Sequence, residues 1–233
     1  MQLFYTPGLT NELYQLADEE ARHCSQVLRL KIGDRLYSTD GEGQLFESEI
    51  IEINKKHSLI GNTKVIETTT KNKFQLHIAI APTKNAERFE WFLEKAVEIG
   101  IDEITPLICE HSERKTVNID RCNKILVSAM KQSLKTWLPT LNPPIKFSEF
   151  VSKKASGSKY IAYCSTAKTF HLKDIYTKDS NAFVLIGPEG DFSVKEVELS
   201  IKNGFESVSL GKSRLRTETA GVFACSIINI INE

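Results

Sequence analysis

The sequence lacks paired cysteines and any cluster of metal-ligating residues. Its five cysteines form no C-x-x-C pair, and their odd number argues against a disulfide framework. Histidine and cysteine never occur together at the spacing of zinc ligands, and no H-E-x-x-H motif is present. We therefore expect neither structural disulfides nor a metal site.

Long apolar runs are also missing. The longest apolar stretch, residues 220–231, is interrupted by Ser and Asn. A bilayer requires roughly 20 apolar residues in a helix, so this stretch is too short to cross one. The N-terminus, MQLFYTPGLTNE, has no basic region followed by an apolar core. These features predict a soluble, cytoplasmic protein.

The chain has no excess of charge of either sign. It contains 30 Lys+Arg and 30 Asp+Glu, which excludes a uniformly basic surface for nucleic acid. The charge is unevenly distributed, because residues 1–70 hold 7 basic and 11 acidic residues, a net −4. The rest therefore carries +4, and we expect a polyanionic partner to bind mainly there.

Two patterns divide the 233 residues into two predicted domains. Residues 1–70 contain short alternating segments separated by the turn signals DGEG and NKKH, which favours a small β-barrel. After the polar run at 67–73, apolar strands alternate with amphipathic helices, which favours a largely parallel α/β sheet over residues 71–233.

The last fifty residues contain two strand-end loops. The strand FVLIG leads into GPEGD, and Ser193 with Glu196 has the spacing of a capping box. The strand FESVSLG leads into KSRLRTETA and then into a segment that is apolar on every face, which we expect to be buried on all sides. Open α/β sheets bind ligands at the carboxyl ends of strands, so both loops are candidate binding sites.

Each loop has a functional and a structural interpretation. Gly187 and Gly190 allow the backbone to approach a ligand closely, but a plain connecting turn would also use them. In the second loop, a threonine N-cap and Glu218 near the helix dipole describe an ordinary helix start. Arg214 and Arg216 gain nothing from that dipole, which favours an anionic ligand.

Two other basic or glycine-containing stretches are less specific. GKS at 211–213 is not a phosphate loop, because Glu206 occupies the position of the first glycine. Residues 111–136 hold six basic and two acidic residues. Such a run is typical either of a solvated helix face or of a phosphate-binding surface, and both interpretations stay open.

Taken together, these motifs resemble the bacterial small-subunit (16S) ribosomal RNA uridine N3-methyltransferases of the SPOUT class. The matching stretches are HCSQVLRLKIGD, KNAERFEWFLEKAVEIG, ITPLICEHSERK, IGPEGDFS and LGKSRLRTETAG, in that order along nearly the whole chain. The resemblance implies an α/β protein with a PUA-like β-barrel at 1–70 that helps to bind RNA. It also implies a SPOUT domain at 71–233, with a mostly parallel sheet and a trefoil knot.

The resemblance further implies S-adenosylmethionine as cofactor, small-subunit ribosomal RNA or the assembled subunit as partner, and a homodimer. It implies Arg216, Thr217 and Glu218 as catalytic residues, with Arg216 stabilising charge on the uracil and the other two orienting groups or assisting proton removal. The implied cofactor-binding residues are Cys164, Ser165, Leu185, Ile186, Gly187, Pro188, Glu189, Gly190, Leu210, Gly211, Leu215, Thr219 and Ala220. The candidate RNA-binding residues are Arg22, His23, Arg29, Lys31, Lys84, Arg88 and Arg114.

Four positions depart from the family's usual pattern. Asp191 stands where glycine is common, Lys212 where proline is common, Lys131 where an acidic residue is common, and Lys135 where arginine is common. Two alternative functions use the same features. One is a non-catalytic RNA-binding or ribosome-assembly protein, and the other is a SPOUT methyltransferase that acts on a different RNA.

Overall fold

The computed structural model describes residues 2–10, 12–54, 57–153, 156–163 and 169–233. The chain forms two compact units. The first comprises Met1–Lys71 with Val127–Leu138, and the second comprises Asn72–Leu126 with Pro139–Glu233. The domain boundary predicted after residue 70 stays a prediction, and a single boundary there does not account for the short segment 127–138.

The first unit is built on a five-stranded sheet with the order β1-β3-β4-β5-β2. Its strands are β1 (Leu3–Tyr5), β2 (Tyr14–Gln15), β3 (Arg35–Thr39), β4 (Gln44–Ile53) and β5 (Ser58–Thr68). All neighbours are antiparallel except β1 and β3. Register shifts between β4 and β5 mark bulges, which increase the local twist of the strands. The short strands and turns predicted for this region are confirmed.

A short helical segment covers the core of this sheet. Helix α1 (Asp18–Arg22) continues into a π-helical turn, His23–Val27. Ala21 and Cys24 of this segment are fully buried in one cluster with the sheet side chains. The core residues of the unit are Phe4, Leu9, Leu16, Ala21, Cys24, Leu36, Phe46, Ile50 and Ile60.

Segment 127–138 completes the first unit through backbone hydrogen bonds. It contains the end of helix α3 (Ile119–Gln132) and the residues that follow it. The carbonyl of Thr136 accepts a 2.9 Å bond from the amide of Gly43, and the amide of Leu138 donates a 2.9 Å bond to the carbonyl of Gly41. The turn between β3 and β4 is therefore ordered by residues that lie nearly one hundred positions away.

Lys131 has a structural role in the first unit. Its ammonium group pairs with the carboxylate of Glu20 on α1, and the two side chains are 24% and 10% exposed. A buried charge that loses its partner is strongly destabilising, so the two residues depend on each other. Lys131 is thus matched by an acidic residue on a neighbouring helix.

The second unit contains an eight-stranded parallel sheet. Its order is β11-β13-β10-β12-β6-β7-β8, and β9 also pairs with β7. The strands are β6 (Leu76–Ile80), β7 (Glu103–Ile108), β8 (Thr140–Leu141), β9 (Ile145–Lys146), β10 (Ser158–Ala162), β11 (Phe170–His171), β12 (Ala182–Ile186) and β13 (Glu206–Ser209). The largely parallel α/β sheet predicted from the sequence is confirmed.

The helices of this unit begin and end largely where the sequence predicts. They are α2 (Ala86–Ile99), the first part of α3, α4 (Phe147–Val151), α5 (Leu172–Ile175), α6 (Val194–Lys202) and α7 (Thr217–Asn232). The side chain of Asn85 caps α2 by accepting a bond from the amide of Glu87, and Gly100 ends the helix with a φ of 135°. The predicted capping box of Ser193 and Glu196 is present at the start of α6.

Helix α7 differs from its prediction. One face is buried, but Phe223 is 43% and Ile230 is 67% exposed. The expectation that this segment is buried on all sides is therefore wrong for the single chain. None of the described helices is both long enough and apolar enough to span a bilayer. The trefoil knot stays a prediction.

Candidate active site

The carboxyl ends of three neighbouring strands define one edge of the second unit's sheet. Strands β12, β6 and β7 are adjacent and parallel, so the loops that follow them meet at this edge. The amide of Ala81 still bonds the carbonyl of Ile186 at 2.9 Å, just beyond the ends of β6 and β12. Ligands of open α/β sheets bind at such an edge.

The loop after β12 forms a tight turn around its two glycines. The amide of Asp191 bonds the carbonyl of Pro188 at 2.9 Å. A β-carbon at position 187 would lie 3.1 Å from the ring of Phe192, and one at position 190 would lie 3.1 Å from Cβ of His111. A side chain at either position would therefore have to displace Phe192 or His111 by a few tenths of an ångström, so close packing favours glycine at both.

Asp191 adopts a left-handed conformation with a φ of 62°. Glycine adopts this conformation without strain, and aspartate tolerates it better than most other residues. The carboxylate of Asp191 also accepts a 2.8 Å bond from the amide of Phe192. Asp191 thus holds the turn in a left-handed conformation and bonds the residue that follows it.

His111 joins the loop after β7 to this turn. Its Nδ1 atom lies 3.1 Å from the carbonyl oxygen of Gly190 and 3.0 Å from that of Asp191. Because a carbonyl oxygen can only accept, Nδ1 must carry the proton and donate. This role of His111 was not predicted from the sequence.

Lys84 and Arg114 connect the same loops. The Arg114 guanidinium donates to the carbonyls of Thr83 at 3.1 Å and Lys84 at 2.8 Å. The amide of Lys84 donates to Glu189 at 2.9 Å, and its ammonium pairs with Glu113 at 2.8 Å. This hydrogen bond to Glu113 raises the pKa of Lys84. Both predicted RNA-binding residues therefore also organise the rim of the site.

Glu196 connects α6 to the loop after β7. One of its oxygens accepts a 2.9 Å bond from the amide of Ser193, which is the capping-box bond. The other accepts a 2.9 Å bond from the amide of Glu110. A residue that the sequence identifies only as a helix cap thus also fixes the loop that carries His111.

The start of α7 is bonded to the glycine turn. The Thr217 hydroxyl donates a 3.0 Å bond to the carbonyl of Gly187. The residue at the N-cap position is Arg216, and no side chain caps the helix there. The predicted threonine N-cap is therefore wrong, because the threonine hydroxyl bonds the neighbouring strand end instead.

Glu218 is buried in the first turn of α7. The residue is 7% exposed, and its Oε2 atom has no hydrogen-bond partner among the described residues. Its other oxygen lies 3.9 Å from Nε of Arg88 on α2. The helix dipole favours a negative charge at this position. The structure thus places Glu218, predicted to be catalytic, beside Arg88, predicted to bind RNA.

The remaining candidate cofactor residues divide into three groups. Leu185 and Ile186 are the buried end of β12, and Thr219 and Ala220 continue the first turn of α7. The third group, Leu210, Gly211 and Leu215, lies in the loop before α7, where Gly211 has a φ of 137° and exchanges two 3.1 Å bonds with the Ser209 hydroxyl. Cys164 and Ser165 lie outside the described residues.

The other RNA-binding candidates belong to the first unit. Arg22, Arg29 and Lys31 are exposed, and Arg29 has a left-handed φ of 54°. The ring of His23 packs edge-on against Phe4, with the ring centres 5.9 Å apart. RNA binding by these residues stays a prediction.

Two buried cysteines of the second unit have raised pKa values. Burial raises the pKa of Cys109, which follows β7, and raises that of Cys122 to about 11. Both are therefore thiols rather than reactive thiolates at neutral pH. No group of three His, Cys, Asp or Glu residues suited to a metal ion occurs among the described residues.

Comparison with known proteins identifies the class to which this fold and site belong. Residues 70–229 match the family model of the RNA methyltransferase domain, and residues 16–61 match that of the RNA methyltransferase PUA domain. The chain therefore belongs to the family of RNA methyltransferases with a PUA domain. The family and the fold class inferred from the sequence motifs are confirmed, apart from the knot.

Individual relatives extend over nearly the whole chain. The Ribosomal RNA small subunit methyltransferase E of Buchnera aphidicola subsp. Acyrthosiphon pisum is 31% identical, over 94% of this chain and 88% of the relative. The crystal structure of a probable rRNA-methyltransferase from Porphyromonas gingivalis has a TM-score of 0.90 at 40% identity, covering 100% and 98%. That of Ribosomal RNA small subunit methyltransferase E from Neisseria gonorrhoeae, bound to S-adenosyl methionine, has a TM-score of 0.87 at 26% identity, covering 100% and 98%.

Proposed function

We propose that this protein transfers the methyl group of S-adenosylmethionine to N3 of a specific uridine in small-subunit ribosomal RNA. The family membership and the relatives named above support the reaction class and the substrate class. The observation that carries the proposal is the 3.0 Å bond from Thr217 to Gly187. It brings the start of α7 and the glycine turn together, as a shared cofactor cleft requires.

The residues around this edge fit the proposed cofactor. S-adenosylmethionine supplies an electrophilic methyl group on a sulfonium. Gly187 and Gly190 have no side chain that would keep the adenosyl part away from the backbone groups of the turn. We propose that this turn, the loop from Leu210 to Leu215, and Thr219 with Ala220 hold the cofactor.

The protein's task in this reaction is alignment and charge stabilisation. Correct orientation of the reacting atoms can be worth roughly 7–11 kcal/mol of the barrier. As the N3 proton leaves, negative charge spreads onto the uracil oxygens, and a fixed cation there lowers the barrier. We assign that cation to Arg216, which is exposed at the start of α7. The Thr217 hydroxyl already donates to Gly187, so its role is to position the helix start.

The proposed substrate must present an unpaired uracil. Base pairing hides N3, so the nucleotide is single-stranded or flipped out of its helix, at a cost of a few kcal/mol. Phosphate contacts by exposed arginine and lysine side chains of both units would offset this cost. We also propose that the protein acts as a homodimer through the exposed face of α7.

The test of the reaction is the Arg216→Ala variant. We expect kcat for methyl incorporation into small-subunit RNA to fall on the order of 10²–10³, the usual effect of removing one preorganised electrostatic donor. Arg214→Ala is the matched control, because it removes one positive charge from the same loop, and it should lose much less activity. Normal turnover by a folded Arg216→Ala protein would remove this residue from the mechanism.

Two further measurements separate the alternatives. Calorimetry with S-adenosylmethionine should show binding, whereas its absence would favour a non-catalytic RNA-binding or assembly protein. Mapping of modified nucleotides in cells with and without the gene should show one N3-methyluridine in the small-subunit RNA. A modification at another atom or in another RNA would retain the enzyme class and overturn the proposed target.

A further inference from the structure

Glu218 has one buried carboxylate oxygen without a hydrogen-bond partner among the described residues, although the dipole of α7 favours its charge. Its side chain is 9% exposed, and Oε2 is closed to water without a hydrogen-bond partner among the described residues. Leaving a buried polar atom unpaired costs roughly 1–3 kcal/mol, and more for a charged group. Each such group in a native protein needs an explanation, and a catalytic role is one of those that a carboxylate can have.

The surroundings of Glu218 belong to the site. Thr217, the preceding residue, is bonded to the carbonyl of Gly187 at the end of β12. The following residues, Thr219 and Ala220, are proposed to contact the cofactor. The unpaired carboxylate oxygen therefore lies in the same helical turn as the residues proposed to contact the cofactor.

Among the described residues, Arg88 makes an ionic contact with Glu218. The distance of 3.9 Å between its Nε and Oε1 of Glu218 exceeds that of a hydrogen bond, and the Arg88 side chain is 41% exposed. The positive charge of Arg88 therefore orients the carboxylate, and both carboxylate oxygens remain able to accept a proton. The first turn of α2, capped by Asn85, fixes the backbone of Arg88.

We propose that Glu218 accepts the N3 proton of the substrate uracil and that Arg88 is the residue that positions it. This inference rests on the proposed function. The N3–H bond breaks, and its proton moves to the free oxygen of Glu218. The electron pair left on N3 forms the bond to the methyl carbon, and the pair of the former carbon–sulfur bond stays on sulfur. Glu218 later returns the proton to water.

The geometry is compatible with this role. The terminal torsion of a glutamate is broad, so a rotation can present either oxygen to the substrate at small cost. Among the catalytic candidates, Arg216 and the Thr217 hydroxyl are donors, which leaves Glu218 as the group that can take up a proton.

The first experiment compares wild type with Glu218→Gln, which preserves size and polarity but removes the basic carboxylate. We expect kcat to fall on the order of 10²–10⁴, the usual contribution of a general base, with unchanged affinity for S-adenosylmethionine by calorimetry. Wild-type turnover in Glu218→Gln would overturn the inference. Loss of cofactor binding would overturn it as well, because it would mean that the free oxygen holds the cofactor.

The second experiment tests Arg88 by separating kcat from KM. Misplacing a catalytic group can cost on the order of 10² in rate, so Arg88→Ala should lower kcat with little change in the KM for RNA. Arg88→Lys, which keeps the charge, should recover part of the loss. In the double variant with Glu218→Gln, the loss should not exceed that of Glu218→Gln alone, because both changes affect one step.

Arg121→Ala is the matched control for Arg88. It removes an arginine that pairs with Glu90 of the same helix α2 and not with Glu218, and should leave kcat unchanged. If Arg88→Ala instead raises KM and weakens its salt dependence with kcat intact, Arg88 is a phosphate contact and the positioning role is wrong. If wild type itself neither binds the cofactor nor methylates RNA, the proposed function fails, irrespective of the variants.

Discussion

Charged side chains around the candidate site mostly bond to backbone groups of neighbouring loops. Arg114 donates to two carbonyls, and Glu196 accepts from two amides. Charge-assisted hydrogen bonds of this kind are shorter and stronger than neutral ones. These basic and acidic residues therefore hold the neighbouring loops in place, and they are not simply an electrostatic surface.

Asp191 offers a test of this organisation at a single position. Its φ of 62° suits glycine, so Asp191→Gly should change the free energy of unfolding by less than about 1 kcal/mol and leave cofactor affinity intact. Asp191→Val should cost about 1–2 kcal/mol, because a β-branched residue is strained there, and should weaken cofactor binding. Denaturant unfolding and calorimetry measure the two effects.

Asp179 provides the control for this prediction. It also has a left-handed φ, of 61°, but lies in the turn between α5 and β12, where its amide bonds the side chain of Asn232. Asp179→Val should lower stability by a similar amount without changing cofactor affinity. Equal loss of affinity in both valine variants would show that the effect is general destabilisation.

The sequence predicts where the glycine turn and residues 216–218 lie, but not the bonds between their loops. The apolar strand before Gly187 and the apolar segment after Arg216 were sufficient to place both at the ends of elements. His111 and the second bond of Glu196 could not be predicted, because each joins segments about 80 residues apart. The threonine N-cap failed for the same reason, since a long-range acceptor competes with the local helix cap.

At the scale of elements, α7 owes its position to a close approach at Gly221. A β-carbon there would lie 2.7 Å from the ring of Phe92 on α2 and 2.9 Å from Cδ1 of Ile80 on β6. Because real β-carbons do not approach other atoms this closely, only glycine allows α7 to pack against α2 and β6 in this way. The end of α7 is anchored separately, by a 2.7 Å bond from Asn229 to the carbonyl of Gly100.

Gly221→Ala should therefore destabilise the protein. A helical glycine replaced by alanine normally gains about 1 kcal/mol, but overpacking of a filled core costs about 1–3 kcal/mol. We expect a net loss of stability in urea unfolding. Phe92→Leu, which opens space, should reduce the cost of the alanine, so that the double variant is more stable than the sum of the single effects predicts. A stabilised Gly221→Ala protein would show that α7 is not held at this distance.

The type of an element could be predicted where its residue pattern lies within one continuous segment of the chain. The periodicity of α2, the capping box of α6 and the apolar runs of β6 and β12 gave correct elements, because each buries one face or both faces along a continuous segment. The short strands β8, β9 and β11 were not predicted. Each has two residues and depends on pairing with a distant strand.

At the scale of the whole molecule, helix α7 exposes two large apolar side chains on one face in the single chain. Phe223 and Ile230 are seven residues apart, two turns along the same face of the helix. The sequence predicted burial on all sides, whereas the single chain buries only one face. A second copy of the chain would bury the exposed face of α7. We therefore infer that the helix is apolar on all sides because its second face forms a subunit contact.

The protein should therefore be a dimer in sedimentation velocity, and Phe223→Asp with Ile230→Asp should convert it to a monomer. An aspartate in an apolar subunit contact loses its hydration without gaining a partner, which costs several kcal/mol. Val194→Asp is the control, because Val194 on α6 is 66% exposed, as apolar, and outside α7. It should leave the dimer intact. If the wild-type protein is a monomer, or if the double aspartate variant is still a dimer, the exposed face of α7 is not the subunit contact. Neither result would affect the proposed reaction.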